Sequence, residues 1–296
     1  MEKRTIIVTG ANGQLGRELQ VLAGAGGGRD FEFLFLSKED LPIQDASRTL
    51  QFFEAHQPAY CINCAAYTAV DKAESEKDLA FAINGDAVGS LAAACKGVGA
   101  RLIHISTDYV FDGLSATPLK ENDPTGPINT YGSSKLEGEH LALQHYPEGT
   151  VIIRTSWVYS EFGNNFVKTM LRLMKERPAI NVVSDQVGSP TYAADLAAAI
   201  GQIIVAPSFV PGIYHYSNEG QISWYEFALA IRDLSGSSCT VQPIPTTQYP
   251  TPAKRPFYSL LDKGLIKAVY GLRIPEWRDS LAICLQRLAA ITSTHI

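Results

Sequence analysis

The 296-residue sequence has no apolar run long enough to span a membrane. Its richest apolar segment, Ala193 to Ala206, is interrupted by Asp195 and Gln202. It also lacks any run of lysine and arginine, and its formal net charge is -5. We therefore expect neither a membrane nor a nucleic acid as a partner. The first residues lead into a β-branched run instead of a signal-peptide apolar segment, which favours a cytoplasmic location.

Cysteine and histidine are too few and too scattered to indicate a metal site. The 5 cysteines include one C-x-x-C pattern, Cys61 and Cys64, without the second pair that a zinc site would need. This pair lies in an apolar stretch typical of a buried strand, whereas redox pairs normally lie at a helix N-terminus. The 6 histidines show no ligand spacing. We predict no metal and interpret the two cysteines as structural.

What the sequence does contain is a glycine-rich turn between a strand and a helix. The β-branched run Thr5 to Val8 predicts a buried strand, and the segment GANGQLG follows closely. Such a turn cradles the pyrophosphate of a dinucleotide at the N-terminus of the helix. Gly10 permits the turn, Gly13 lets the backbone approach the cofactor, and Gly16 lets the helix pack closely. The spacing is one residue wider than the usual Rossmann fingerprint.

Strands and helices alternate through the first half of the chain, which predicts an α/β fold. After the first strand, further strands are expected at residues 31–36, 60–63, 101–105 and 151–154. This alternation predicts a Rossmann-type doubly wound parallel sheet with a smaller α/β substrate-binding lobe. We expect the NAD(P)-binding domain at residues 1–160 plus roughly 190–207, and the substrate-binding lobe at 161–189 and 208–296.

Tyr131 and Lys135 are candidates for acid–base chemistry because residues four apart share one face of a helix. A tyrosine has a pKa of ~10 and exchanges protons poorly near neutrality. An ammonium close to it would lower that pKa and make it a usable general acid–base group. A hydroxyl of Ser106 or Thr107, at the end of the fourth strand, could hydrogen-bond the same oxygen. Ligands of open parallel sheets bind beyond such strand ends.

The residues after the second strand bear on the choice of nicotinamide cofactor. An NAD-selective fold usually places an acid there, to bond the ribose 2′-hydroxyl. Here Ser37 and Lys38 follow the strand and Arg17 follows the glycine turn, and these groups suit a 2′-phosphate. Glu39 and Asp40 come slightly later and weaken that preference. We therefore expect NADPH, with NADH as the alternative.

Longer motifs connect the chain to a known family. They are AAYTAVDKAE from Ala65, STDYVFDG from Ser106, RTSWVY from Arg154, NFV from Asn165, and DQ-x-G-x-PT from Asp185. Together with the glycine turn, Thr107 and the Tyr131/Lys135 pair, they resemble the extended short-chain dehydrogenase/reductase superfamily. Within it, the chain is most similar to the family of dTDP-4-dehydrorhamnose reductases. The resemblance runs from Gly10 to about Arg278.

This resemblance implies NAD(P)H-dependent reduction of the C4 keto group of dTDP-4-dehydro-L-rhamnose to dTDP-L-rhamnose. It implies that Tyr131 protonates the developing alkoxide, that Lys135 lowers the pKa of Tyr131 and holds the nicotinamide ribose, and that Thr107 hydrogen-bonds the carbonyl oxygen. The implied cofactor contacts are Gly10, Asn12, Gly13, Gln14, Leu15, Gly16, Ser37, Pro42, Ile43, Ala65, Ala66, Tyr67, Thr68, Tyr131 and Lys135. The implied substrate contacts are Thr107, Asp108, Val110, Phe111, Trp157, Asn165, Gln186 and Arg255.

Several of these residues also have a purely structural interpretation. Trp157 could be a core aromatic between the lobes, and Asn165 could cap the helix that follows it. Gln186 could brace its own loop, and Arg255 could pair with a carboxylate. Asn84 is expected to support the site through hydrogen bonds without touching a ligand.

Other functions stay open at this stage. A 4-epimerase of the same superfamily uses the same three catalytic residues, whereas a 4,6-dehydratase would have a glutamate where this chain has Tyr109. A non-catalytic subunit similar to the regulatory subunit of methionine adenosyltransferase is the alternative from another class. Some relatives bind magnesium through glutamates at a dimer interface. Glu18 matches one such position, but Ala194 replaces the other, so we predict a possible homodimer without that metal.

Overall fold

The computed structural model describes residues 3–26 and 30–293, so the outermost residues of the predicted domains lie outside it. Its strands are β1 (Arg4–Thr9), β2 (Phe31–Leu36), β3 (Tyr60–Asn63), β4 (Arg101–Thr107), β5 (Thr150–Thr155), β6 (Val158–Tyr159), β7 (Ala179–Val183), β8 (Val187–Gly188), β9 (Thr191–Tyr192), β10 (Gly212–Tyr216), β11 (Ile222–Ser223) and β12 (Thr240–Ile244). Its α-helices are α1 (Gln14–Gly24), α2 (Ala46–His56), α3 (Val70–Ala73), α4 (Lys77–Phe81), α5 (Ala87–Val98), α6 (Thr130–His145), α7 (Phe166–Glu176), α8 (Ala193–Val205), α9 (Trp224–Ser235), α10 (Gly264–Tyr270) and α11 (Trp277–Ser293). A turn of π-helix, Ala82–Asp86, joins α4 to α5.

Six parallel strands form the central sheet, in the order β10-β5-β4-β3-β1-β2. The predicted doubly wound parallel sheet is therefore confirmed. The strand order reverses between β1 and β3, which is the switch point where such folds bind ligands. One part of the predicted division needs correction. Strand β10 falls within the range 208–296 that we gave to the smaller lobe, yet it pairs with β5, because Tyr214 and Tyr216 bury their side chains in the core of the main sheet.

The alternation of side chains along β1 divides the main core between the two faces of the sheet. Ile6 and Val8 lie in one apolar cluster with residues of α1 and α8. Ile7 points to the opposite face and packs with Cys61, Leu102 and residues of α5 and α6. Because both faces are covered by helices, the inner strands β1, β3, β4 and β5 are mostly buried on both sides, as their apolar composition predicts. The edge strand β2 exposes Glu32.

The smaller lobe has a core of its own. Helices α7, α9 and α11 pack around the two-stranded parallel pair formed by β7 and β12. A capping box fixes the start of α9, because the Ser223 hydroxyl accepts from the Glu226 backbone and the Glu226 carboxylate accepts from the Ser223 backbone. Within the part of the chain that the structure covers, no helix is both long and apolar enough to cross a bilayer.

A buried ion pair connects the sheet to α6. The Glu139 carboxylate on α6 accepts from Arg154 of β5, at 2.9 Å from Nε and 2.6 Å from Nη2. The Ser106 hydroxyl at the end of β4 donates to the same carboxylate. Both charged side chains are almost completely buried. Because Ser106 precedes Thr107, this contact fixes the end of β4 against the helix that carries Tyr131 and Lys135.

We expect Arg154→Met to lower the free energy of unfolding by about 3–5 kcal/mol, because it leaves the Glu139 carboxylate buried without its partner. The double variant Arg154→Met/Glu139→Gln should recover most of this loss, since the amide is neutral and can still accept from Ser106. Urea unfolding measures both. The exposed pair Arg172–Glu176 is the control, and Arg172→Met should cost less than about 1 kcal/mol. If the single and double variants lost the same free energy of unfolding, the loss would not come from the unpaired Glu139 carboxylate.

Candidate active site

A cavity of about 980 Å³ opens at the carboxyl ends of β1, β3, β4 and β5, beside the switch point of the sheet. Most of the site residues that the sequence predicts line this cavity. These are Gly10, Asn12, Gly13, Gln14, Leu15, Gly16, Ser37, Pro42, Ile43, Ala65, Ala66, Thr68, Thr107, Asp108, Tyr131, Lys135 and Trp157. The glycine turn and the three residues expected to be catalytic therefore line one site, while their individual roles stay predictions.

The glycine turn packs against the end of β3 and against itself too closely for side chains at two of its positions. Gly10 has a φ of +70°, and a Cβ on it would lie 2.6 Å from the backbone nitrogen of Ala65. A Cβ on Gly16 would lie 2.4 Å from the Gly10 carbonyl oxygen. The turn ends at the N-terminus of α1. A dinucleotide pyrophosphate is bound by exposed backbone N–H groups of a glycine-rich turn at a helix N-terminus. The residues present here therefore fit such a cofactor.

Asn165 lies behind this turn and does not line the cavity. Its side-chain oxygen accepts from the Lys168 backbone and caps α7. Its amide nitrogen donates to Gln14 Oε1 at 2.9 Å, and Gln14 in turn donates to the Val158 carbonyl. The structure therefore supports the capping interpretation of Asn165, which also links the smaller lobe to the glycine turn.

Lys135 is buried on α6, and its ammonium is directed at the sheet. Nζ donates to the Ile105 carbonyl at 2.6 Å and lies 3.4 Å from His104 Nε2. Burial lowers the pKa of Lys135 to about 8, while the charge of Glu139 acts in the opposite direction. Asn129 sets the start of α6 by accepting from the Gly132 backbone, which places Tyr131 at the edge of the cavity.

Burial acts on the pKa of Tyr131 in the direction opposite to the effect that we predicted for Lys135. Burial raises it to about 12, and the Thr107 hydroxyl opposes this rise. The Lys135 ammonium donates to the Ile105 carbonyl, and its effect on the pKa of Tyr131 stays a prediction. Tyr131 therefore carries its proton near neutrality, as a tyrosine with an ordinary pKa of ~10 also does.

Thr107 and Asp108 form the other side of this centre. The Thr107 hydroxyl donates to Asp108 Oδ1 at 3.0 Å and accepts from the Tyr109 backbone at 3.2 Å. Asp108 is 2% exposed, and burial raises the pKa of its carboxyl to about 6 against the hydrogen bonds of Ser259 and Thr107. A polar hydroxyl and a carboxyl thus face the cavity next to Tyr131.

Aromatic side chains form the wall on the side of the smaller lobe. Trp157 stacks on Trp224 with ring centroids 3.7 Å apart, and Phe166 packs against Trp224. The backbone of Trp157 has a φ of +47°, a conformation uncommon for a bulky residue and concentrated at functional sites. Trp157 therefore packs on the core of the smaller lobe and lines the cavity as well.

Val110 and Phe111 do not line the cavity. Their side chains are 0% and 1% exposed and pack with Leu119 and Leu261 in a separate apolar cluster. The structure gives them a packing role in place of the substrate contact that we predicted, because the short 3-10 turn after β4 directs both side chains inward.

Gln186, Arg255 and Tyr67 also lie outside the cavity wall, each bound to a neighbouring group. The Gln186 amide donates to the Thr246 hydroxyl, as the loop-bracing interpretation expects. Arg255 makes two hydrogen bonds to the Asp71 carboxylate, at 2.6 and 2.8 Å, which agrees with the ion-pair interpretation.

The Tyr67 hydroxyl donates to Glu76, so its side chain is not available to the cavity in the way that the resemblance implied. Its backbone is held by Asn84, whose oxygen accepts from the Tyr67 nitrogen and whose amide donates to the Tyr67 carbonyl and to the Ser134 hydroxyl. Asn84 lies in the π-helical turn, a feature frequent at functional sites. It thus has the supporting role that the sequence suggested.

Sequence reasoning missed several residues of the cavity wall. They are Cys64, Thr155, Val158, Gly163, Asn164, Phe166 and Trp224. Cys64 directly follows β3 and Thr155 ends β5, so the rule of strand ends could have found both. Burial raises the pKa of the Cys64 thiol, so it is inert as a nucleophile. Among residues 3–26 and 30–293, no group of three or more acidic, histidine or cysteine side chains could hold a metal ion.

The parallel sheet, the glycine turn and the hydroxyl–tyrosine–lysine centre define a protein of the short-chain dehydrogenase/reductase type. The family model described as the RmlD substrate binding domain matches residues 4–290. The chain belongs to this family.

Two solved structures and one curated relative are similar over nearly their whole length. A dTDP-4-dehydrorhamnose reductase of Burkholderia thailandensis is 41% identical over an alignment of 299 residues, gaps included. The alignment covers 96% of this chain and 98% of the relative. The crystal structure of a dTDP-4-dehydrorhamnose reductase of Clostridium acetobutylicum has a TM-score of 0.92 and 42% identity, covering 96% of this chain and 99% of that one. The same enzyme of Bacillus anthracis, solved in complex with NADP, has a TM-score of 0.92 and 41% identity, with the same coverage.

The glycine turn allows a test of cofactor binding that separates strain from contact. Gly10→Ala should weaken NADPH binding by ~10-fold or more, because a positive φ is strained for alanine and the Cβ would push the end of β3 away. Gly99 is the matched control, since its φ is +73° and nothing lies within 4 Å of its Cβ position. Gly99→Ala should lower stability and leave the Kd unchanged, as measured by NADPH fluorescence. An unchanged Kd in Gly10→Ala would contradict a pyrophosphate site at this turn.

Proposed function

We propose that this chain catalyses the NADPH-dependent reduction of the C4 keto group of dTDP-4-dehydro-L-rhamnose, which yields dTDP-L-rhamnose. One observation carries the proposal. Thr107, Tyr131 and Lys135 line the same cavity as the glycine turn, in a chain whose family includes reductases of this name. Nothing in a non-catalytic binding subunit would require all three side chains together, which disfavours that alternative.

The groups around the cavity fit the parts of the cofactor in order. The turn from Gly10 to Gly16 would hold the pyrophosphate, and Pro42 and Ile43 would contact the adenine side. Ser37 and Lys38 line the cavity at the end of β2 and suit a 2′-phosphate. Glu39 lines it as well, so some use of NADH is expected. When bound, the nicotinamide supplies the hydride that reduces the carbonyl carbon.

The protein supplies the proton and the polarisation. The Thr107 hydroxyl would hydrogen-bond the C4 oxygen and stabilise the negative charge that develops on it. Tyr131, which is protonated near neutrality, would donate its phenolic proton to that oxygen. Lys135 would hold the nicotinamide ribose and stabilise the phenolate that remains. A proton from solvent then restores Tyr131 for the next turnover.

Loss of nicotinamide absorbance tests the reaction directly. With dTDP-4-keto-6-deoxyglucose and the 3,5-epimerase that makes the L-sugar, we expect stoichiometric NADPH oxidation that depends on the epimerase. NADH in the same assay ranks the two cofactors. Cofactor that stays bound through turnover, with no net oxidation, would favour the 4-epimerase alternative. No turnover at all would favour a non-catalytic subunit.

Removal of the phenolic hydroxyl tests the role of Tyr131. Tyr131→Phe should lower kcat by about 100- to 10,000-fold, because general acid catalysis is lost, while the Kd of NADPH changes little. Tyr214→Phe is the control, since this hydroxyl donates to the Val210 carbonyl at the far edge of the sheet and should leave kcat unchanged. A Tyr131→Phe variant with the kcat of the unmodified enzyme would refute the mechanism.

A further inference from the structure

Three polar side chains lie side by side across the carboxyl end of the sheet. Thr9 of β1 is the register partner of Asn63 on β3, and Asn63 is the register partner of His104 on β4. Each of them lies two residues after an apolar residue on the same face of its strand. These apolar residues, Ile7, Cys61 and Leu102, are register partners in the same way. A row of apolar core residues is thus followed by a row of polar ones.

This row is hydrogen-bonded from end to end and reaches the lysine of the site. The oxygen Oγ1 of Thr9 lies 2.6 Å from Asn63 Oδ1, and Asn63 Nδ2 lies 3.0 Å from His104 Nδ1. The other ring nitrogen of the histidine, Nε2, lies 3.4 Å from Lys135 Nζ. All four residues are at most 2% exposed, and Thr9, Asn63 and His104 lie outside the cavity wall to which Lys135 belongs.

The buried ammonium of Lys135 needs acceptors, because it can only donate hydrogen bonds. The Ile105 carbonyl is one of them. Among the described residues no carboxylate lies within ion-pair distance of Lys135, since Glu139 is bound to Arg154 and Ser106. His104 Nε2 is therefore the second acceptor available to this cation, and a cation buried with too few acceptors is costly.

The hydrogen bond accepted at Nε2 determines which ring nitrogen of His104 carries its proton, and with it the orientation of Asn63 and Thr9. Desolvation, with the charge of Lys135, holds the pKa of His104 well below its usual range, so the ring is neutral. A neutral imidazole that accepts at Nε2 carries its proton on Nδ1. Asn63 must then present its oxygen to Nδ1 and its nitrogen to Thr9. The structure has the opposite orientation, with the Thr9 hydroxyl donating to Asn63 Oδ1 and Asn63 Nδ2 facing His104 Nδ1. The required state is reached by a half-turn of the Asn63 amide, after which the Thr9 hydroxyl accepts.

We propose that His104 is a positioning residue for Lys135, which accepts from the ammonium at Nε2 while Asn63 and Thr9 hold its proton on Nδ1. When Lys135 loses its proton, the same row reverses its direction, with Nε2–H donating to the amine and Nδ1 accepting from Asn63. The charge of Lys135 is thereby coupled to residues next to the glycine turn. The kinetic consequence rests on the proposed function, but the proposal about the row does not.

Other titratable groups also face Lys135 and enter the interpretation of its titration. They are Glu139, one turn along α6, Cys64 at the end of β3, and Tyr131, one turn before it on α6. Glu139 and Cys64 both raise the pKa of Lys135, although burial outweighs them. A variant of His104 leaves all three in place, so a shift that it causes reports the lost acceptor.

The first measurement is the tautomer of His104. Long-range ¹H–¹⁵N spectra of the ¹⁵N-histidine protein distinguish Nδ1–H from Nε2–H, and His104→Gln identifies the signals. We expect the Nδ1–H form below the pKa of Lys135 and the Nε2–H form above it. Thr9→Val, an isosteric change that should not disturb folding, should bring a mixture of both forms at low pH. An Nε2–H tautomer beside charged Lys135, or an imidazolium, would overturn the proposal.

The second measurement is the pKa of Lys135 in [ε-¹³C]lysine protein, with Lys135→Met to identify its signal. His104→Leu should lower this pKa from about 8 by ~1 unit or more, because the charged form loses an acceptor. His104→Gln, whose oxygen can replace Nε2, should restore it. Ile152→Ala is the packing control, since Ile152 is the register partner of His104 on β5 and is equally buried. An unchanged pKa in His104→Leu would refute the role.

Kinetics then show whether this positioning matters for the reaction. His104→Leu should lower kcat by ~10-fold and move the alkaline limb of its pH profile to lower pH, whereas His104→Gln should restore both. Ile152→Ala should leave that limb in place. If the unmodified protein does not reduce the sugar nucleotide, the proposed function fails, while the two spectroscopic measurements still decide the role of His104. Equal pH profiles in His104→Leu and the unmodified enzyme would contradict the coupling.

Discussion

Parallel pairing of β1, β3, β4 and β5 in a common register is the constraint on which the site depends. It brings the ends of four strands, far apart in sequence, to one edge of the sheet. Each strand then contributes what its last residues allow: a bare glycine turn after β1, small residues after β3, and hydroxyls at the end of β4. Because strand ends point their backbone groups out of the sheet, a ligand at this edge contacts backbone and side chains together.

The helix α6 completes the site, and buried polar contacts fix its position more closely than apolar packing would. The Glu139 carboxylate is bound to Arg154 and Ser106, and Ser134 is bound to Asn84. Lys135 is bound to the Ile105 carbonyl. Hydrogen bonds have strict lengths and directions, so three side chains held by them along one helix fix both its rotation and its height. A catalytic helix must be held in this way, because a displacement of about 1 Å can cost 100-fold in rate.

The sequence predicted the strands of the main sheet almost residue by residue, since buried parallel strands are continuous β-branched runs. It missed β12 and α10, because β12 contains Pro243 and α10 has only 7 residues. The strand-end rule located the cavity but not the direction of each side chain. Val110 and Phe111 turn inward after β4, and Arg255 pairs with Asp71 from a distant part of the chain. Such partners depend on tertiary contacts, which local patterns do not encode.

The hydroxyls of Thr107 and Tyr131 connect these physical features to the chemistry. A lysine that stabilises the phenolate makes the phenol a stronger acid, which helps Tyr131 to give its proton to a carbonyl oxygen. Burial raises the pKa of Tyr131 against the hydrogen bond of Thr107, so the phenol holds its proton near neutrality. A protonated phenol beside the Thr107 hydroxyl is arranged to give a proton to an oxygen that gains negative charge. Carbonyl reduction requires this step, so the arrangement of the two hydroxyls agrees with a reductase.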